Sequence, residues 1–571
     1  MSNINFSLTR FIQAATLFVL LLHLASSCSK NDSIVPTGEP GNAALKIELT
    51  SIEDAIWQNN PMESMVRSAV NRGSQTNKSD IPKEKMVALG TLDVLISATE
   101  SKPFKIPAPT TVDSAAGARM AAVGGTKMST SRMTNGVYYR LIMFDQNNNQ
   151  VVNQVIASGS DPNIRVDGSR TYRWYALSVN ETQPSVPTVN TAGMVTRASL
   201  FNKDVLYASG SISTVDGDNF LNIQFKRKTA RTQVRLNVRG AFGTINNATQ
   251  LTLVKGPQNA PYTSMGDFNI LTESFSNISS SPASVNGASM ELANDEPSNT
   301  VKLANFYTLD TQPIAANQLK VVANRIDIRI DDGRDRVFSN IGTITYQNEH
   351  TPEIGGSLAL SLRLLESAVK VKGIMWARSN IVYDSNKTDR YRLKSNPGGS
   401  SPSTRDTEFW NWGSETPNGA VANVDPCTRI YPENTWRMPT SAEWQSIGQP
   451  DEKKEVLGLF FGAQYAYVWN RDSDYPANPS YDDNNLFLSF GGYRTTNNAV
   501  VGSPVGIFIG FFATGECHYW TGTPTGTNTA TAVRSSFTRF FWGFSWGNVT
   551  YPNSNKSEGR NIRCVRRIVN N

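Results

Sequence analysis

The chain has 571 residues, 54 Lys and Arg against 48 Asp and Glu, and a formal net charge of +6. That length exceeds what one hydrophobic core serves, and the sequence supports three domains. The charge excess is modest, and no Lys/Arg block is interleaved with aromatics, which excludes a nucleic-acid groove; 39% hydrophobic and 18% charged residues with 41 Gly describe a turn-rich β protein better than a helical one.

The N-terminus carries Arg10, an apolar run from Phe11 to Leu24, and the small residues Ala25, Ser26 and Ser27 directly before Cys28. The run is shorter than the roughly 20 residues that span a bilayer, and its small-residue end suits a signal peptidase. Residues 1–27 therefore read as a lipoprotein signal peptide, and Cys28 as the lipidation site, where a diacylglycerol thioether joined by N-acylation supplies two-signal anchoring. An ordinary signal peptide with a chance cysteine is the alternative, since Ala25 stands where Leu is usual. Residues 28–41 form a polar tether. Its Ser29–Pro40 stretch resembles the segment behind the lipidated cysteine in surface-exposed lipoproteins of the Bacteroides group. Past residue 30 no stretch is long and apolar enough for a membrane helix.

A first β domain is expected over 42–228. Ala44–Thr50, Thr91–Ala98, Val137–Phe144 and Thr171–Val179 read as strands, and Asp145–Gln150 is a turn-forming cluster. Strands with one apolar and one polar face need a second layer, so a sandwich is expected. Leu221–Phe225 runs into the basic patch Lys226–Lys228, which marks the boundary. A second sandwich over 229–366 is built from Gln233–Arg239, with Val234, Leu236 and Val238 on one face, and from Gln250–Val254, Val301–Leu309, Ile326–Ile330 and Leu358–Leu364. Its Arg and Lys side chains read as a solvated outer face.

From 367 to 571 the composition shifts. Trp376, Trp410, Trp412, Trp436, Trp444, Trp469, Trp520, Trp542 and Trp546 lie here, with only Trp57 and Trp174 upstream. Such density predicts an aromatic core in a loop-rich domain with little regular structure. Thr440 and Glu443 form a capping box after Pro439, so a short helix begins there and buries Trp444 and Ile447. Ile562 and Cys564 fall on one face of a terminal strand with charged Arg563 between them. Cys427, Cys517 and Cys564 are the cysteines left in this region, and one of the three is unpaired. A Cys427–Cys564 disulfide would tie the terminal strand to the segment before the helix, worth about 3–5 kcal/mol in the chain-entropy model; Cys517 then packs as a small hydrophobe. No two cysteines are closely spaced and the histidines are His23, His350 and His518 alone, so no metal site and no cofactor are read.

The segments Gly373–Asn380, Asp425-Pro-Cys427, Trp436–Trp444 and Gly559–Arg566 resemble the Fibrobacter major paralogous domain, a branch of the C-type-lectin-like fold. The resemblance implies an α+β scaffold that presents loops for recognition, without itself implying sugar binding. The calcium signature of sugar-binding lectins is not evident: Glu415-Thr-Pro-Asn418 breaks its spacing, and Trp469-Asn470 is followed by Arg471. Upstream, Asn135–Asp145, Tyr172–Asn180, Asp204–Tyr207 and Leu221–Phe225 resemble the fimbrillins of Bacteroides and Porphyromonas type V pili. The fold expected is thus mainly β: two tandem transthyretin-like fimbrillin β-sandwiches and a C-type-lectin-like α+β domain. Such a layout is similar to accessory, tip-associated fimbrillins.

What that resemblance implies is assembly by strand addition, in which an opened sandwich exposes unpaired backbone and an apolar trough that a neighbour's strand fills. Ala44–Thr50 is then the removable strand, released by an Arg-specific surface protease after Arg67, Arg72, Arg119 or Arg132; Arg72 and Arg119 look most accessible. The implied partners are other fimbrial subunits, the protease, the outer membrane through the precursor's lipid, and a host matrix protein or glycan. The implied location is the outer membrane for the precursor, then the fimbria. A surface glycan-binding lipoprotein of a nutrient-uptake system is the rival reading. An enzyme is not expected, because no Ser/His/Asp set, metal spacing or paired carboxylates are recognisable.

Overall fold

The computed structural model describes residues 41–54, 85–89, 92–100, 129–330, 333–394, 407–456, 464–473, 485–502, 513–540 and 543–567. Cys28, Arg67, Arg72, Arg119, Trp57 and Trp542 lie outside them. The chain is mainly β, and its contacts divide it into two compact units.

The first unit joins the described part of Met1–Ser51 to Arg132–Val186 and Tyr207–Phe225. Its strands are β1 (Ala43–Asp54), β4 (Ser129–Arg132), β5 (Tyr138–Phe144), β6 (Gln150–Ala157), β7 (Ile164–Val166), β8 (Thr171–Ser178), β10 (Leu206–Ser213) and β11 (Gly217–Arg227). They form one sheet in the order β4-β1-β11-β10-β8-β5-β6, with β7 also paired to β1. Alternation sets its faces: Leu221, Ile223 and Phe225 of β11 are buried, while Phe220, Asn222 and Gln224 are exposed. β5 and β11 stand three positions apart, about 14 Å in a flat sheet, yet the rings of Tyr139 and Phe225 meet edge-on at 5.7 Å. The sheet therefore curls around a single core. At the tip between β5 and β6, Asp145 accepts the N–H groups of Asn147 and Asn149 at 2.8 Å each, and Asn148 takes φ 63°, a conformation asparagine tolerates.

The other unit holds the remaining described strands. One sheet runs β19 (Glu291–Leu292), β20 (Val301–Thr308), β12 (Ala230–Gly240), β23 (Ser357–Glu366), β3 (Leu92–Glu100), β2 (Lys85–Leu89). A second runs β13 (Gly243–Ile245), β21 (Leu319–Ile330), β14 (Gln250–Lys255), β15 (Ala260–Pro261), with β18 (Ser284–Asn286) on β14 and β22 (Asp335–Tyr346) on β21. Val234, Leu236 and Val238 of β12 and Leu358, Leu360, Leu362 and Leu364 of β23 share one buried cluster with Leu251, Leu253, Val321, Ile328 and Ile344. Two inner faces closing on one core make this a β-sandwich. A smaller sheet of β17 (Ser274–Ser280), β16 (Ser264–Asn269) and β9 (Met194–Val195) stands beside the helical turn α1 (Arg197–Leu200).

Two features differ from the sequence reading. The strand near 91–98, read as part of the first domain, pairs instead with β23 of this sandwich; alternation tells which face of a strand is buried, not which sheet it joins. The cations of the second region are not simply solvated. Arg235 contacts Asp295 and Glu296 at 3.1 and 3.0 Å, and just before the region Arg227 pairs with Asp204 at 3.1 Å. Burial lowers the Arg227 guanidinium to about 10.

Beyond β23, four short strands, Ala368–Val371, Ile374–Ala377, Val565–Arg566 and Trp436–Arg437, form a sheet in that order. The helix α2 (Ser441–Ser446) begins at a capping box: Thr440 Oγ1 accepts the Glu443 N–H, and Glu443 accepts the Thr440 N–H. It buries Trp444, and Ile447 is buried at its C-cap. Trp376, Trp410, Trp436, Trp469 and Trp520 are likewise enclosed. The expectation of little regular structure overlooked one element. Ala513–Pro524 and Thr529–Phe540 pair as a long antiparallel hairpin, whose Gly515, Gly522 and Pro524 interrupt the strand pattern.

Candidate functional site

The two ends of the described chain are held in opposite ways. At the first, β1 lies inside its sheet between β4 and β11, and pairs with β7 through Ala43↔Val166, Ala44↔Arg165 and Leu45↔Ile164. Ala43, Leu45 and Ile52 are buried. Burying Leu45 and Ile52 is worth about 3–6 kcal/mol together, which a foreign strand with two comparable side chains would match. A buried hydrogen bond joins Thr50 Oγ1 to Ser158 Oγ at 2.6 Å, and further polar ties lie near the surface. Asn42 donates to Asp216 and accepts the Gly168 N–H, both at 2.6 Å, and Lys46 pairs with Asp218 at 2.6 Å. The Asp218 hydrogen bond and charge hold the Lys46 ammonium above the ordinary lysine range. Gly41 is required where the strand enters, since a Cβ there would lie 2.2 Å from the Val166 carbonyl carbon.

Among the candidate cleavage residues Arg132 lies within the described chain. It is exposed at the end of the edge strand β4, and the next residue, Met133, donates its N–H to the Thr50 carbonyl of β1 at 3.0 Å. An accessible arginine thus lies where the chain leaves β4, with Met133 still bonded to β1.

The other end is enclosed. The strand Val565–Arg566 sits between Ile374–Ala377 and Trp436–Arg437, with Trp376↔Val565 on one side and Trp436↔Arg566 on the other. Cys564 is bonded to Cys427 across a sequence separation of 137, a loop worth about 4–5 kcal/mol in the chain-entropy model. The sequence pattern set Arg563 opposite the buried face, but it is 1% exposed. The terminal segment is covered on both sides, and Arg563 donates to the carbonyls of Ala377 at 3.1 Å and Phe487 at 2.7 Å. Burial lowers its affinity for the proton. Arg566 donates to the Glu366 carbonyl at 2.6 Å, with its guanidinium 4.2 Å over Trp436. The Glu366 carboxylate in turn accepts two bonds from Arg336, at 2.5 and 3.2 Å, both side chains buried. β23, β22 and the last strand are tied through one glutamate.

Further links join the sandwich to the C-terminal region. Arg239 of β12 donates to Asp389 at 3.1 and 2.5 Å and to Glu296 at 2.7 Å, and lies 4.0 Å over the Tyr431 ring. Asn237 donates to the Tyr431 hydroxyl at 2.8 Å, and Arg392 to the Phe242 carbonyl at 3.3 Å. Charge-assisted, bidentate contacts of this kind are the strong ones.

On the long hairpin His518 is buried beside Glu516, with Nε2 and Oε2 2.5 Å apart, while Nδ1 contacts Arg560. A guanidinium only donates, so Nδ1 is the acceptor and Nε2 carries the hydrogen, the neutral tautomer. Burial lowers the imidazole to about 4, against the opposing pull of Glu516. The arrangement satisfies a histidine inside a core; it presents no nucleophile. Burial likewise pushes the free, buried Cys517 thiol well above its ordinary value.

The charged pairs were not visible in sequence. Arg336 and Glu366 stand 30 positions apart, and Arg239 and Asp389 stand 150 apart. The Glu516-Cys-His518 spacing was a usable signal, since residues two apart on a strand share a face.

No family model matches the sequence, and no curated protein matches it. Solved structures align with parts of the chain. A protein of Bacteroides fragilis assigned to cell adhesion is 13% identical, with 44% of this chain and 88% of that one covered at a TM-score of 0.29. One from Bacteroides ovatus, also assigned to cell adhesion, is 14% identical over 56% and 91% of the two chains, with a TM-score of 0.22. The fimbrial anchor protein Mfa2 of Porphyromonas gingivalis is 11% identical over 37% and 77%, with a TM-score of 0.17.

Proposed function

We propose that this chain is an accessory structural subunit at or near the tip of a cell-surface fimbria. It is exported as a lipoprotein acylated at Cys28 and trimmed after an arginine between residues 60 and 135. It then accepts a neighbour's strand in place of β1. The observation that carries this reading is the contrast between the ends: β1, ahead of an exposed arginine, is held among the described residues by apolar burial, hydrogen bonds and an ion pair, whereas the Val565–Arg566 strand lies inside its sheet behind a disulfide. A subunit that receives a strand at β1 while its Val565–Arg566 strand stays seated is suited to a tip position. The C-terminal region, joined to the sandwich through Arg239, Asp389 and Tyr431, is then carried outermost and presents a lectin-like surface to a host or bacterial partner.

N-terminal sequencing of the protein from purified fibres tests this. A start directly after Arg67, Arg72, Arg119 or Arg132 is expected. An acylated Cys28 retained on the assembled protein would overturn it, and tight polysaccharide binding by that form would favour the glycan-uptake role.

A further inference from the structure

The segment ahead of Arg132 supplies more than β1. Its hairpin of β2 and β3 forms one end of the six-stranded sheet in the sandwich. There β3 lies antiparallel to β23 in an unbroken register from Leu92↔Glu366 to Glu100↔Leu358. Val94, opposite Leu364, is fully buried in the cluster that holds Val234, Leu236, Leu360 and Leu362. Every second position along β3 repeats the match, with Ile96 against Leu362 and Ala98 against Leu360. Without the hairpin, β23 would be an open edge beside four core leucines, with β12 bonded to its other side. An edge of that length and apolarity is a template for another strand.

We propose that the β2–β3 hairpin is a second exchangeable cover, and that β23 is an acceptor edge for an extended strand of a neighbouring subunit; this rests on the strand-exchange reading above. The seated strand states what the incomer must be. It runs antiparallel to β23, with small or branched apolar residues at alternate positions facing Leu360, Leu362 and Leu364.

Chain order then makes the cleavage site a selector. Arg67 and Arg72 precede β2, whereas Arg119 and Arg132 follow β3. Hydrolysis by water of the peptide bond after Arg67 or Arg72 detaches β1 alone. Hydrolysis after Arg119 detaches β1, β2 and β3 on one fragment, and hydrolysis after Arg132 takes β4 with them; β3 is then held by hydrogen bonds and packing alone. The second edge opens only in the latter case.

Covalent staples in the full chain, expressed in fibre-forming cells, separate the two edges. Ser97→Cys with Ser361→Cys joins register partners of β3 and β23, and Ala44→Cys with Arg165→Cys joins partners of β1 and β7. Each staple is verified by non-reducing peptide mapping, with the single-cysteine chains as folding controls. A mild reductant spares the fully buried Cys427–Cys564 bond. Both staples are expected to lower the chain's incorporation into purified fibres at least tenfold, with reductant restoring it. Unchanged incorporation of the Ser97–Ser361 staple, with the Ala44–Arg165 staple still blocked, overturns the second edge and leaves exchange at β1 standing. Unchanged incorporation of both overturns strand exchange itself.

Discussion

The first and last strands of the described chain do the same geometric job, each filling an interior place in a sheet, and are secured by different physics. β1 is held by buried side chains such as Leu45 and Ile52, by the buried Thr50–Ser158 hydrogen bond and by exposed groups such as Lys46 and Asn42. Exposed ion pairs are worth little because water screens them. The strand Val565–Arg566 is backed by a disulfide, two buried arginines and the Trp376 and Trp436 rings. On the proposed strand-exchange reading, what distinguishes a replaceable strand from a permanent one is not its place in the sheet. It is whether the contacts are interchangeable apolar and backbone ones, or specific groups that no incoming strand would reproduce.

Weakening the permanent end should cost most. Replacing Cys427 and Cys564 together by serine is expected to lower the stability of the C-terminal region by about 4–5 kcal/mol, read from the urea midpoint of tryptophan fluorescence. Next comes the Glu366 junction. Arg336→Leu leaves a buried carboxylate unpaired and should cost about 3–5 kcal/mol, while a joint Arg336→Leu, Glu366→Leu change should recover most of that loss in the same titration.

Acid separates the regions further. Between about pH 4 and 6.5 the folded His518 binds fewer protons than the unfolded one, because burial holds it at about 4. Its contribution, about 3 kcal/mol, is complete above pH 6.5 and disappears as pH falls towards 4. Its neighbour Glu516, held low chiefly by the His518 hydrogen bond, loses stability in the same direction as it protonates. His350, also lowered to about 4 by burial, acts over the same window. The drop in urea midpoint from pH 7 to 4.5 should therefore be smaller in His518→Gln than in the unsubstituted chain.

Smaller effects sharpen the contrast. Thr440→Ala removes the helix cap and should cost about 1 kcal/mol, visible as a shift in thermal midpoint. Lys46→Ala, at the replaceable end, should leave the midpoint unchanged.

Much of this fold was legible because strands carry their own period. The apolar positions of Gln233–Arg239 and Leu358–Leu364 mark inner faces, and both segments lie in the sandwich core as β12 and β23. The capping box was legible for the same reason, since its partners lie three residues apart. Whatever depends on distant partners was not. β3 carries no local sign that it joins β23 rather than the first sheet, and Arg563 carries none that both faces of its strand are covered. The long hairpin at 513–540 was hidden by its glycines and Pro524. The removable first strand is expected from family resemblance alone, and the contacts that hold β1 appear only in the structure.

Intact-mass measurement of the chain taken from purified fibres under non-reducing conditions tests the contrast most directly. The predicted result is a chain that has lost its N-terminus up to an arginine between residues 60 and 135 and retains Cys427 bonded to Cys564. A chain still beginning at an acylated Cys28, or one lacking its last strand, would contradict it.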